Sequence, residues 1–161
     1  MIILIECIIL CLVFTGGVAM MIKNPIATLY NYPPKIQERV KSLEQYKDKI
    51  PTNKSKLVTK SLVAAFIVIL FSIILRYING YTTFIEGFGY SFLIWAVVNL
   101  YDVVFMDIIW FCHSKKVIIK GTEDMVDEYH DYIYHIKQGL IGMIIGASVC
   151  IFIGLVIHFI L

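Results

Sequence analysis

The sequence predicts an all-α integral membrane protein: one domain over 1–161, a bundle of four transmembrane helices, both termini extracytoplasmic, and two cytoplasmic loops with short helices. Three observations carry this. Of 161 residues, 59% are hydrophobic and 16% charged, well below the roughly one quarter charged of a soluble domain. Four runs have the length of about 20 apolar residues that a bilayer core requires. Every Lys and Arg of the 14 except Arg76 falls in the two polar segments between those runs, which by the positive-inside rule makes those segments cytoplasmic.

The first span covers 2–22. It lacks a basic n-region and is longer than a signal-peptide core, so it reads as a retained span. Glu6 lies near its start. The first polar segment, 23–60, is basic, and after Pro33-Pro34 it carries Ile36, Val40, Leu43 and Ile50 at helical intervals. A short amphipathic helix follows, lying either on the membrane surface or on the protein itself, and ending at Pro51.

The second span, 61–79, runs outward and holds Arg76 near its outer end. Glu6 falls at a similar depth, and Glu86 follows in the outer connection, so both are candidate partners in a structural ion pair with Arg76. The stretch Gly80–Gly89 holds a turn signal and aromatic residues suited to a membrane interface. A single helix from Phe84 to Cys112 would measure about 43 Å, longer than a bilayer core of about 30 Å. A break near the glycines or a tilt is therefore expected.

The third span, 90–112, departs most from apolar composition, with Asn99, Asp102 and Asp107 in its inner half. A charged group at membrane depth costs at least about 2.5–3.5 kcal/mol. At 100° per residue, Trp95, Asn99, Asp102, Met106, Asp107, Trp110 and His113 fall within about 140° of one another. Asp102 and Asp107 stand about 7.5 Å apart along the axis, too far to share one proton and near enough to bracket an ion.

The second polar segment, 113–138, continues this chemistry. Asp127, Asp131 and His135 form an i, i+4, i+8 ladder beside the pair His130 and Tyr134, and Thr122 is placed to cap a helix from Glu123. A solvated acidic face is the simpler reading of these loop residues. The fourth span, 139–161, spaces Gly142 and Gly146 for close helix contact, within the chain or in a homo-oligomer. Cys7, Cys11, Cys112 and Cys150 form no ligand-spaced pair and read as small buried hydrophobes.

Function narrows to a polar site at the cytoplasmic end of the third span, in a multi-pass protein of a bacterial plasma membrane. Asp102, Asp107 and His113 are the candidate catalytic residues, and Asn99, Trp110 and His130 the candidate binding residues. A divalent metal is an admissible cofactor, its candidate ligands being Asp102, Asp107, His113, His130, Asp131 and His135. No metal-binding motif stands among them. The site would serve a membrane enzyme acting on an inner-leaflet substrate, an oligomeric ion- or proton-coupled transporter using Asp102 and Asp107, or an accessory subunit. The lipid bilayer is the expected partner. A net charge of +2 gives no case for nucleic acid.

Overall fold

In the computed structural model the described residues are 2–161, with side chains described for all of these except 2 and 53–56. They form helices and turns, with no strand among them. The helices are α1 (Ile2–Met21), α2 (Pro34–Ser42), α3 (Asn53–Tyr77), α4 (Phe84–Tyr101), α5 (Val126–Tyr129) and α6 (Tyr132–Phe159). Beyond Tyr101 the α4 rod continues as a π-helix over Asp102–Phe111. Four stretches are long and apolar enough to cross a membrane: Ile3–Met21, Leu57–Tyr77, Phe84–Phe111 and Val126–Phe159. The chain divides into two compact units, one containing the residues up to Pro51 with Leu100–Gly139, the other Thr52–Asn99 with Leu140–Leu161.

The first unit carries a core built largely from the two polar segments. Leu29, Ile36 and Val40 meet Val117, Ile119 and Tyr129, with Trp110 and Phe111 packed against them. Of the two placements expected for the amphipathic helix, the structure adopts packing on the protein itself. The helix stops at Ser42, earlier than Pro51, because Leu43 turns extended (φ −85°, ψ 115°). Lys35 and Arg39 fasten α2 across this core, at 2.6 Å to Glu128 and 2.9 Å to Asp124.

Three polar groups close a ring inside this core. The Ile119 N–H donates to Tyr129 Oη (3.0 Å) and Thr122 Oγ1 donates to the Ile119 carbonyl (2.7 Å). Tyr129 Oη therefore donates to Thr122 Oγ1, at 2.7 Å. Thr122 is thus spent on Tyr129 and caps no helix from Glu123; the short helix begins at Val126. Tyr32 stands beside the ring, its phenol donating to the Val117 carbonyl at 3.2 Å. Burial pushes that phenol above its ordinary range.

In the second unit, Leu75, Ile153 and Ile157 form a small core. Here the glycines of α6 matter. A Cβ at Gly142 would lie 2.8 Å from Asn99 Oδ1, and one at Gly146 would overlap the Trp95 indole. The small-residue spacing is therefore taken up by close contact with α4 of the same chain. Gly80, at φ +76°, turns the chain after α3, with the Tyr81 N–H returning to the Leu75 carbonyl at 3.0 Å. The helix then runs unbroken from Phe84 through Gly87 and Gly89, so of the two alternatives, a break or a tilt, the break does not occur. Gly87 lies on the chain's own Gly154 and Ile157, so the glycines serve packing.

Candidate functional site

The third span changes character at Asp102. In the π-helix each N–H reaches back five residues, as Cys112 does to the Asp107 carbonyl at 3.0 Å. Side-chain directions there no longer follow the 100° step of an α-helix. The 100° wheel does not apply past Tyr101, and the face drawn from it does not continue through Met106 to His113 as expected. Met106 is buried, and Thr15 Oγ1 of α1 reaches its sulfur at 3.9 Å and Tyr101 Oη at 2.8 Å.

Asp107 is turned toward α6. Its Oδ2 lies 3.2 Å from His135 Nδ1, with the carboxylate side chain 27% exposed and the histidine 2%. His135 occupies this place because α6 starts at Tyr132, a full two turns earlier than the apolar run from Gly139. Asp131 caps that start, its Oδ1 accepting from the Tyr134 N–H at 2.9 Å. The chain turns between α5 and α6 at His130 and Asp131, so the Asp127, Asp131, His135 ladder is interrupted and those residues share no helix face. Phe111 covers the imidazole with ring centroids 5.0 Å apart, and Tyr134 stands edge-on at 5.4 Å. His135 Nε2 is buried and has no hydrogen-bond partner. Half-buried Asp102 has the titratable groups Asp107 and His135 as its neighbours. His135 is therefore no part of a solvated acidic face.

His113 lies apart from this pair. It is exposed just past the π-helix, its Nδ1 facing the carbonyls of Ile108 (3.0 Å) and Ile109 (3.1 Å). Two carbonyls can only accept, so Nδ1 carries the proton and Nε2 faces Tyr132 Oη at 3.4 Å. The His130 ring lies 5.6 Å from that of His113. Among the described residues, no three His, Cys, Asp or Glu side chains converge as a metal-binding group.

The other candidates have structural partners. Trp110 packs on the loop-built core, and Asn99 faces Gly142. Glu86 forms a capping box at the start of α4: its Oε2 accepts from the Thr83 N–H (3.0 Å), and its own N–H donates to Thr83 Oγ1 (3.3 Å). Arg76 Nε donates to the backbone oxygen of Leu161 at 3.1 Å. Glu6 is likewise engaged.

Sequence reasoning singled out Asp107 and His135 separately and missed their pairing. The available signal was the aromatic and apolar pattern of Tyr132, Ile133, Tyr134 and Ile136, which extends the last helix back past Gly139. No protein family matches this chain, and no curated protein or solved structure is similar to it. What the chain is follows from its own residues: it is an all-helical protein with four helices able to span a membrane.

Proposed function

We propose that this is a multi-pass plasma-membrane protein with cytoplasmic polar segments and extracytoplasmic termini, whose working element is the Asp102, Asp107 and His135 site at the inner end of the third span. There it binds an inner-leaflet amphipathic molecule and exchanges a proton with it. One observation carries this reading: a carboxylate 3.2 Å from Nδ1 of a buried imidazole whose Nε2 is unpartnered. A carboxylate this close to Nδ1 favours a proton on that nitrogen, which leaves a lone pair on Nε2. The complementary ligand therefore presents an O–H or N–H. Nε2 takes that proton, the Asp107 carboxylate balances the imidazolium, and the ligand oxygen or nitrogen is left activated. A π-helical segment beside such a pair supports the reading, because these segments recur at functional sites.

The test is a mass-spectrometric inventory of small molecules retained by the purified protein, its Asp107→Asn and its His135→Gln variants, with elemental analysis of the same samples. A retained molecule bearing a free O–H or N–H, lost from both variants while melting shifts by only a few degrees, is the expected result. Identical inventories with strongly lowered melting in both variants would assign the pair to packing instead. Accumulation of the retained molecule inside reconstituted vesicles would turn the reading toward transport.

A further inference from the structure

A cavity of about 230 Å³ opens beside the end of the third span, and neither Asp107 nor His135 lines it. His113, Lys115 and His130 line it, over apolar walls from Ile118, Val126 and Tyr129. The volume is below the roughly 300–1,000 Å³ of sites for drug-sized ligands, so it admits a small group or one end of a longer molecule. The acids of the neighbouring segment are mostly committed elsewhere. Glu123 accepts from the Gly121 N–H (2.7 Å), Asp124 holds Arg39, Glu128 holds Lys35, and Asp131 caps α6. Asp127 is the remaining one. Among the described residues, Lys115, His113 and His130 enter no ion pair. Cys112 and His113 follow the Phe84–Phe111 span, so a membrane crossed by that span would have its lipid headgroups at the level of the cavity.

We propose that this cavity binds a phosphate group, either the headgroup phosphate of an anionic lipid in the adjoining leaflet or free inorganic phosphate. Lys115 supplies the charge and the His130 ring an N–H donor, with the exposed His113 ring forming part of the wall. Ile118 and Val126 receive the apolar part that follows a lipid phosphate. Basic pockets beside spanning helices take anionic headgroups in this way.

The experiment uses the full chain in phosphatidylcholine nanodiscs. Electron paramagnetic resonance compares immobilisation of spin-labelled phosphatidylglycerol with that of spin-labelled phosphatidylcholine, and calorimetry in detergent titrates inorganic phosphate. Lys115→Ala should lower phosphatidylglycerol selectivity about fivefold, and adding His130→Gln should lower it further. Lys116→Ala, which alters an exposed lysine outside the cavity, should leave it unchanged. Phosphate binding that is lost in Lys115→Ala, without lipid selectivity, would support the same site with free phosphate as its source. Selectivity and phosphate binding both absent, or equally affected by Lys116→Ala and Lys115→Ala, would overturn the proposal.

Discussion

In the core built from the two polar segments, Leu29, Ile36 and Val40 are sealed from solvent, whereas Leu12 and Val13 on α1 and Leu62 and Phe66 on α3 stand more than half exposed. The same kind of side chain is buried in one region and displayed in the other. Water accounts for the first arrangement and lipid for the second: only 6% of the apolar window of α1, and of α3, is buried inside the protein. Between lipid tails an exposed leucine loses nothing, so packing of such helices depends on small residues and polar contacts. Gly142 and Gly146 against Asn99 and Trp95 are the instance here.

Substitutions can break or sharpen this contrast. The largest effect is expected at Ile36, where Ile36→Ala should cost about 2–5 kcal/mol by denaturant titration in micelles. Leu12→Ala in the same assay should stay within about 0.5 kcal/mol. Equal losses at both positions would mean that α1 packs on protein rather than lipid. Next comes Gly146→Val, which forces Trp95 to move and should cost about 1–3 kcal/mol by overpacking; a neutral result would remove close helix contact as the reason for the glycine. Tyr129→Phe breaks the ring with Ile119 and Thr122 and leaves a buried N–H unpaired, at about 1–3 kcal/mol. Hydrogen exchange at the Ile119 amide should rise with it.

The smallest effect concerns pH. Glu128 raises the Lys35 ammonium above its ordinary value of 10.5, chiefly through their hydrogen bond. A raised cation favours folding, fully below the unfolded-state value, and that contribution is lost as pH rises through the folded value. Stability should therefore decline slightly at strongly alkaline pH, and Lys35→Met should flatten the decline. Lys35 is exposed, so the change is slight and salt-sensitive.

The four spans were legible because apolar runs of bilayer length leave few alternatives, and the packed helix at Ile36 and Val40 because its period is local. Three features were not. The α-to-π change at Asp102 leaves no mark in a wheel that assumes 100° throughout. The start of α6 at Tyr132 depends on Asp131 capping it, while the same residue also fits a ladder with Asp127 and His135. Burial of His135 is a tertiary fact, made by Phe111 and Asp107 from a helix distant in sequence. The acids that stand out in the apolar span lie where Asp107 meets His135.

The most direct measurement is nitrogen-15 NMR of the histidine side chains in the lipid-reconstituted protein, with the four histidines assigned by substitution. The expected spectrum has a slowly exchanging proton on His135 Nδ1 that shifts in Asp107→Asn and stays put in His113→Gln. A His135 signal that exchanges as fast as that of exposed His113, and ignores Asp107→Asn, would contradict the buried pair on which the proposed site rests.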